Sequence, residues 1–280
     1  MYEDSEGHGL FNRYRNASID TWRNAMLDAV QPYDTRFPKF SHIAKLGSAN
    51  LRDGIIEAFK LYKIARPHMD GCVGDDKAYL DFGCGVGRIL RCFMRDFPAA
   101  NMTGADVTAE FIDICRDNFG DRFNFLNIAP RPPIDMPDNS VDVITAYSVF
   151  SHFSAVQATR WLDEFYRIAR PGAIVALTTY SRAHINFIYD APPDTVPPNK
   201  AAQKEELNEY GGRSEAFRMF GLGEMIYFQK GAAFGKHDYG NAYVGEEFVR
   251  RVWGRQFEIL EIKDEYKELE QMAVIMRKPE

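Results

Sequence analysis

A short apolar strand runs directly into a glycine-rich turn and then into a helix, and this arrangement limits the possible folds more than any other part of the chain. Residues 79–88 read Tyr-Leu-Asp-Phe-Gly-Cys-Gly-Val-Gly-Arg. The three glycines leave the backbone bare where a ligand must come close and where positive φ angles are needed. A strand, a glycine turn and a helix in this order predict a nucleotide-cofactor site.

The spacing of the glycines, together with a nearby acid, distinguishes between cofactors. The dinucleotide fingerprint G-x-G-x-x-G would need a glycine at position 88, where this chain has Arg88. The pattern here is G-x-G-x-G, and Asp81 stands two residues before it. A carboxylate at the turn repels an anionic pyrophosphate but suits the ammonium group of an amino-acid cofactor. The sequence therefore favours S-adenosylmethionine over NAD.

Further motifs follow in the order expected of nucleotide-binding βαβ units. The segment 101–106 reads as a second strand that ends in Asp106. Two carboxylate oxygens can accept both ribose hydroxyls, so Asp106 is predicted to hold the ribose, although NAD would be held in the same way. Residues 140–153 are an apolar strand followed by a polar and aromatic turn, and Arg-Pro-Gly at 170–172 precedes another strand.

Taken in this order, the motifs resemble those of the class I S-adenosylmethionine-dependent methyltransferases, the small-molecule branch in particular, over roughly residues 78–180. The resemblance implies that Asp81 and the glycines line the methionine part of the cofactor and that Asp106 holds its ribose. In the family the end of the third strand holds the adenine, often with an acid. The segment 125–130 offers no acid, so we expect Asn127 in that role.

Strands and helices alternate from residue 79 onward, which predicts a parallel sheet with helices on both faces. The expected fold is α/β, a Rossmann-like seven-stranded sheet that is mostly parallel with an antiparallel last strand, with an N-terminal helical cover and an inserted lid. Strands are expected at 79–82, 101–106, 123–127, 141–147, 173–180, 257–266 and 272–276, and core helices at 86–96, 108–118, 155–169 and 245–253. We divide the chain into a helical cover (1–77), a cofactor-binding core (78–182), a substrate lid (183–244) and a closing helix and strand pair (245–280).

Ligands of open α/β sheets bind at the carboxyl ends of the strands. The cofactor-binding residues predicted there are Asp81, Gly83, Gly85, Gly87, Asp106, Val107, Asn127, Ile128, Tyr147 and Ser148. His152 follows the fourth strand and is the candidate general base, because imidazole accepts a proton near neutral pH; the alternative is a histidine that only bonds to the adjoining turn. Tyr180, His237 and Tyr239 are weaker catalytic candidates, since loop tyrosines and histidines often only pack.

The composition bears on partners and location. The net charge is −6 with a pI near 5.6, which offers no overall basic field and predicts a small-molecule acceptor and no nucleic acid partner. No apolar run approaches the length of a membrane span, and residues 1–9 are polar and acidic, so we expect a soluble, cytoplasmic protein without a membrane partner. Four cysteines without Cys-x-x-Cys spacing predict free thiols and no metal site. The oligomeric state is left open, a homodimer included.

The expected function is methyl transfer to a nitrogen, oxygen or sulfur nucleophile, an amino acid or a thioether such as methionine among them. A thioether needs no general base, whereas a hydroxyl or an ammonium does. One alternative is a catalytically silent, methyltransferase-like binding subunit. Another is an aminopropyltransferase, but residues 147–152 lack the acids expected of a polyamine site. A dinucleotide oxidoreductase is disfavoured by Arg88.

Overall fold

The computed structural model describes residues 9–30, 51–230 and 239–280. The α-helices in these ranges are α1 (Gly9–Tyr14), α2 (Ile19–Asp28), α3 (Leu51–Ala65), α4 (Arg88–Phe93), α5 (Ala109–Phe119), α6 (Ala155–Ile168), α7 (Arg182–Asp190), α8 (Pro198–Glu209), α9 (Gly212–Gly221) and α10 (Glu246–Val252). The strands are β1 (Tyr79–Phe82), β2 (Met102–Asp106), β3 (Asn124–Asn127), β4 (Val141–Ala146), β5 (Ala169–Thr179), β6 (Ile226–Gln229), β7 (Gly240–Tyr243), β8 (Glu258–Lys263) and β9 (Met272–Arg277).

Seven strands form one sheet in the order β3-β2-β1-β4-β5-β9-β8. The pairs from β3 to β5 are parallel, whereas β9 lies antiparallel between β5 and β8. This confirms the predicted Rossmann-like sheet with an antiparallel last strand. The chain runs outward from β1 in one direction and from β4 in the other, so the strand order reverses between these two neighbours. Crevices at such reversals are where α/β sheets bind their ligands.

The apolar core lies on both faces of the sheet. On one face the sheet packs against α2 to α5, with Trp22, Tyr62 and Phe93 completely buried. On the other face it packs against α6 and α10, through Trp161 and Phe165 among others. Strand β4 is buried along its whole length, as expected of a central strand covered on both sides.

The start of β5 lies earlier than predicted. Helix α6 begins behind Ser154, whose Oγ accepts a hydrogen bond from Gln157 N–H at 3.3 Å, as the sequence predicts. The helix ends at Ile168, and the chain becomes extended at Ala169 rather than at 173. Ala169 pairs with Val141, and the register then shifts, which lengthens the strand across the Arg-Pro-Gly segment.

The helix after the glycine turn is shorter than predicted. It begins at Arg88 rather than at 86, because Gly87 has a left-handed φ of 78°. A Cβ on Gly87 would lie 2.6 Å from the ring of Phe119, at the end of α5. Gly87 thus permits both the turn and the close approach of α5.

Within residues 183–244, the described parts (183–230 and 239–244) form a structure of their own beside the sheet. Helices α7, α8 and α9 and the hairpin of β6 and β7 share a small apolar cluster that includes Leu207, Phe220 and Ile226. The segment is joined to the end of β5, where Val244 N–H donates to the carbonyl oxygen of Tyr180 at 2.8 Å. Among the described residues, no helix is long and apolar enough to cross a membrane.

Candidate active site

A cavity of about 320 Å³ opens at the carboxyl ends of the strands, where the strand order reverses between β1 and β4. Its size falls at the lower end of the range for small-ligand sites. The lining residues come from the ends of β1 to β4, from helices α4, α5 and α6, and from the residue before β7. They are Phe82, Gly83, Cys84, Gly85, Arg88, Ile89, Asp106, Val107, Thr108, Phe111, Ile128, Pro130, Tyr147, Ser148, Val149, His152, Phe153, Trp161 and Tyr239.

The glycine turn forms the floor of this cavity. Gly83 and Gly85 line it with φ angles of 71° and 54°, which residues other than glycine rarely adopt. A Cβ on Gly83 would lie 2.3 Å from a methyl carbon of Val149. The turn is anchored to β2, because the N–H groups of Gly83 and Cys84 both donate to the carbonyl oxygen of Ala105. Gly83 therefore permits both the turn and the close approach of Val149.

Asp106 lies at the end of β2 and lines the cavity, as predicted. One carboxylate oxygen accepts the N–H of Gly85 at 2.9 Å, and the other accepts the N–H of Thr108 at 2.8 Å. Each oxygen can accept a second hydrogen bond, so both remain suited to ribose hydroxyls. The same contacts fix the glycine turn relative to β2.

Asp81 does not line the cavity, contrary to the contact that the sequence indicated. Its side chain is buried, and its two oxygens accept from Leu90 N–H at 2.9 Å and Thr145 Oγ1–H at 3.1 Å. Burial raises the pKa of this carboxyl to about 7. Asp81 therefore ties α4 and β4 to β1 beneath the glycine turn.

Two other predicted cofactor residues also lie outside the lining. Gly87 faces Phe119 rather than the cavity, because the end of α5 packs directly against it. Asn127 donates from Nδ2 to the carbonyl oxygen of Asp106 at 3.0 Å, so it steadies the end of β2. Its neighbour Ile128 does line the cavity, together with Val107. The β3 end of the site is consequently apolar, and an apolar surface suits the flat face of a base.

Tyr147 and Ser148 line the cavity at the end of β4, as predicted. The guanidinium carbon of Arg88 lies 5.0 Å from the centre of the Tyr147 ring, and burial raises the pKa of the phenol to about 12. Ser148 has a positive φ of 59°. Its N–H donates to Thr178 Oγ1 at 2.7 Å, and its Oγ accepts from Gln271 Nε2 at 2.7 Å, which hold this unusual backbone in place.

His152 also lines the cavity, and its protonation state is defined by its surroundings. Nδ1 lies 2.8 Å from the carbonyl oxygen of Gly240, which can only accept, so Nδ1 carries the proton and Nε2 carries a lone pair. Burial lowers the pKa of the imidazole, which is therefore neutral at pH 7. The ring of Tyr239 stacks on it at 4.6 Å.

The remaining catalytic candidates differ in position. Tyr180 is not part of the lining; its ring stacks on His184 at 4.2 Å and meets the edge of His152 at 6.1 Å. Burial lowers the pKa of His184 to about 4. Its Nδ1 lies 3.2 Å from the backbone carbonyl oxygen of Glu270, and its Nε2 lies 3.0 Å from Gln203 Oε1. His237 lies outside the described residues. Of the four candidates, the structure brings His152 and Tyr239 to the cavity.

Sequence reasoning missed several lining residues, among them Phe111, Pro130, Phe153 and Trp161. Trp161 stands on the inward face of α6, where an aromatic residue has the same helical spacing whether it packs only the core or also lines a site. Pro130 follows the end of β3, which was the one signal available for it. Arg88, which the sequence marks only by its place at the third glycine position, is partly buried at the cavity.

The donor set fits an adenosine-based amino-acid cofactor. The apolar end near β3 can hold a base, Asp106 can hold a ribose, and Gly83 and Gly85 line the cavity with bare backbone where the chain that follows would pass. A pyrophosphate would have no second cation besides Arg88 among the lining residues that the structure describes. The site therefore fits S-adenosylmethionine better than a dinucleotide.

Comparison with known proteins agrees with this assignment. Residues 80–172 match a family described as "Methyltransferase domain". The chain is 30% identical to malonyl-[acyl-carrier protein] O-methyltransferase of Pectobacterium atrosepticum over 40% of this chain and 42% of that protein. It is 22% identical to tRNA N(3)-methylcytidine methyltransferase trm140 of Schizosaccharomyces pombe over 66% of this chain and 53% of that protein. The chain thus spans about half the length of these curated relatives.

Solved structures show the same fold. The PH0226 protein of Pyrococcus horikoshii OT3 superposes with a TM-score of 0.53 at 15% identity, over 87% of this chain and 96% of that one. A Burkholderia thailandensis 1,6-didemethyltoxoflavin-N1-methyltransferase gives 0.51 at 11% identity, over 93% and 88%. A Haloferax volcanii methyltransferase in complex with the activator Trm112 gives 0.50 at 13%, over 80% and 91%.

Residues 80–172 therefore carry a methyltransferase domain, the whole chain has the fold of solved S-adenosylmethionine-dependent methyltransferases, and S-adenosylmethionine is the cofactor that this domain and site fit. These findings confirm the predicted family, fold and cofactor. The prediction of a small-molecule acceptor as the only partner excluded nucleic acids. This prediction is wrong, because one curated relative is a tRNA methyltransferase and one structural neighbour binds a protein activator. A net charge of −6 sums over the whole surface and does not describe any one face.

Proposed function

We propose that this chain transfers the methyl group of S-adenosylmethionine to a planar acceptor that carries an O–H or ring N–H group, with His152 as the general base. The observation that carries the proposal is that Asp106, the glycine turn and His152 line the same cavity. Asp106 and Ile128 would hold the adenosine, and the bare turn would hold the amino-acid chain. When bound, this cofactor supplies a methyl group on a positively charged sulfur, which is already a strong electrophile.

His152 supplies what a protonated acceptor needs. The Gly240 carbonyl holds the imidazole in the tautomer whose Nε2 can take a proton, and the lowered pKa keeps it unprotonated at neutral pH. The acceptor oxygen or nitrogen would lose its proton to Nε2 as it forms the bond to the methyl carbon, while the bond from that carbon to sulfur breaks and its electron pair stays on the departing S-adenosylhomocysteine. General bases of this kind contribute about 10²- to 10⁴-fold to a rate. A thioether would make no use of this group.

The aromatic wall favours a flat acceptor. Tyr239 is stacked on His152, and Phe153 and Trp161 line the same cavity. Aromatic faces bind planar rings through offset or edge contacts and exclude water from the reacting atoms. A small aromatic molecule is the acceptor we propose; a base within a tRNA has the same local chemistry and is a separate outcome of the test below.

The domain division also stays a proposal. In this division, residues 183–244 close the acceptor side of the site. The hydrogen bond from His152 to the carbonyl oxygen of Gly240, the first residue of β7, supports this role. None of residues 9–30 and 51–77 lines the cavity, so a covering role for the N-terminal region has no support from the part that is described there. Protease cleavage within 183–244 should slow on addition of S-adenosylhomocysteine; unchanged cleavage would contradict a closing role.

The test is a transfer assay with methyl-labelled S-adenosylmethionine on the whole chain. Phenols, N–H heteroaromatics, thioethers, amino acids and total tRNA are offered separately, each to the wild type and to His152→Gln. We expect label in phenols or N–H heteroaromatics, with the variant reduced about 10²-fold or more. Label in tRNA that is lost after nuclease treatment would replace the small-molecule acceptor. Equal rates for the variant would remove His152 as base, and cofactor binding without any transfer would favour a catalytically silent subunit.

A further inference from the structure

A closed ring of hydrogen bonds joins the residues after β4 to β5 and to the residue before β9. Ser148 N–H donates to Thr178 Oγ1, Thr178 Oγ1–H donates to Gln271 Oε1, and Gln271 Nε2 donates to Ser148 Oγ, each at 2.7 Å. Thr178 and Gln271 are buried, whereas Ser148 is half-buried and lines the cavity. The ring therefore supports one cavity residue from behind.

The direction of each bond in this ring is fixed. A backbone N–H can only donate, so Thr178 Oγ1 accepts from Ser148 and has its own hydrogen left to donate. That hydrogen goes to the amide oxygen of Gln271, which leaves the amide nitrogen facing Ser148. Ser148 Oγ therefore accepts within the ring and does not use its hydrogen there.

The neighbouring serine leaves this hydrogen available. Ser151 is completely buried, and its Oγ lies 3.5 Å from Ser148 Oγ. Within the described part of the chain, this contact is the one that satisfies the Ser151 hydroxyl, so Ser151 donates to the second lone pair of Ser148. The Ser148 hydroxyl then accepts two hydrogen bonds and keeps its hydrogen for a molecule in the cavity.

The hydroxyl of Ser148 lies on the side of the cavity away from the glycine turn. Its partner Gln271 precedes β9, and the sheet order puts β5 and β9 on the far side of β4 from β1. His152, the proposed base, follows four positions later in the chain and lines the same cavity. One short segment thus presents an accepting atom, His152 Nε2, and a donating group, Ser148 Oγ–H.

We infer that Ser148 selects acceptors in which an oxygen or nitrogen lone pair lies directly beside the reacting O–H or N–H group. Lactams have such an edge, because a ring N–H adjoins a carbonyl. His152 takes the proton of the N–H, Ser148 donates to the carbonyl oxygen, and Gln271 is a positioning residue that acts through Ser148. The inference rests on the proposed function and narrows its planar acceptors to this class. A site that hydrogen-bonds one group of its substrate discriminates against molecules that lack it.

Two isomeric probes test the inference. In 2-pyridone the ring N–H adjoins the carbonyl, whereas in 4-pyridone the two groups lie at opposite ends of the ring. Transfer of labelled methyl from S-adenosylmethionine gives kcat/KM for each isomer, and calorimetry gives the affinity for S-adenosylhomocysteine. The proteins are the wild type, Ser148→Ala, Gln271→Glu and, as a control, Ser140→Ala, which removes a hydroxyl just before β4 that bonds to the Pro137 carbonyl oxygen. Thermal unfolding of each protein confirms that it is folded.

We expect the wild type to prefer 2-pyridone. In Ser148→Ala the ratio of kcat/KM for 2-pyridone to that for 4-pyridone should fall about 10-fold, as for the loss of one hydrogen bond. Gln271→Glu keeps the Ser148 hydroxyl but faces it with an accepting carboxylate, which takes up its hydrogen, so the ratio should fall similarly. Both variants should bind S-adenosylhomocysteine as the wild type does, and Ser140→Ala should keep the wild-type ratio.

An unchanged ratio in Ser148→Ala and Gln271→Glu would overturn the inference, even if both variants were slower with both isomers. Weaker S-adenosylhomocysteine binding by Ser148→Ala would also overturn it and would return the hydroxyl to the cofactor, as the sequence predicts. If the wild type methylates phenols but neither pyridone, the inference fails alone. If it methylates no acceptor at all, the proposed function itself fails, which is a different result.

Discussion

The glycine turn leads to a quantitative prediction about stability, because three glycines of this chain separate backbone strain from steric clash. Gly87 has a φ of 78°, and a Cβ there would lie 2.6 Å from the Phe119 ring. Gly71, in a turn closed by the hydrogen bond from Cys72 N–H to the Met69 carbonyl oxygen, has nearly the same φ, 81°, but nothing lies within 4 Å of the position that a Cβ would take. Gly104 has no positive φ, and a Cβ there would lie 2.8 Å from the ring of Phe125.

The magnitudes follow from these contacts. A left-handed backbone costs alanine about 1–2 kcal/mol, and the loss of unfolded-state freedom returns about 0.4–1 kcal/mol, so Gly71→Ala should destabilise by about 1 kcal/mol. Overpacking costs about 1–3 kcal/mol, which is the loss expected for Gly104→Ala. Gly87→Ala carries both costs and should lose about 2–4 kcal/mol.

Urea unfolding of the wild type and the three variants, followed by circular dichroism, measures these free energies, with equal m values as the check that the comparison is valid. The order of stability is the decisive result: Gly87→Ala should be the least stable. If Gly87→Ala and Gly71→Ala lose the same free energy, the packing of Gly87 against Phe119 contributes nothing and its structural role is refuted.

Three further predictions concern ionisable groups. Relative to Asp81→Asn, the wild type should gain about 2–3 kcal/mol of unfolding free energy in urea between pH 8 and pH 5. The folded carboxyl, with a pKa of about 7, takes up a proton in this range, whereas the unfolded chain accepts it only near pH 4. If the difference in stability between the two proteins does not change with pH, Asp81 is not buried as an acid. With a phenol or N–H acceptor, kcat/KM should fall on the acid side only below about pH 6.5, since burial lowers the pKa of His152. The pH profile of His152→Gln should lack this fall. The same fall in the variant would assign it to another group. Asp106→Ala should weaken S-adenosylhomocysteine binding by more than about tenfold in a protein that still unfolds cooperatively, and unchanged affinity would remove the ribose assignment.

The fold was predictable because its signals are local and repeated. Apolar strands alternate with amphipathic helices, and a capping serine, Ser154, stands where α6 begins. Errors arose where a contact distant in sequence decides the boundary. The pairing of Ala169 with Val141 makes β5 begin earlier in the chain. The ring of Phe119 leaves no space for a side chain at Gly87, and the left-handed backbone of this glycine delays the start of α4 to Arg88.

The candidate site was predictable in part for the same reason. Asp106 is the last residue of β2 and reaches the carboxyl edge, whereas Asp81 lies one residue before the end of β1 and binds Leu90 of α4 and Thr145 of β4. The sequence spacing does not show which of the two carboxylates reaches the cavity. The partner of His152 is the carbonyl of Gly240, 88 positions along the chain, which no local pattern indicates.

The central claim is that the cavity between β1 and β4 is an S-adenosylmethionine site, and calorimetric titration of the whole chain with S-adenosylhomocysteine and with NAD tests it most directly. We predict one S-adenosylhomocysteine bound per chain and no heat from NAD, because the turn has an arginine where a dinucleotide site has its third glycine. Binding of NAD, or the absence of binding by S-adenosylhomocysteine, would contradict the account.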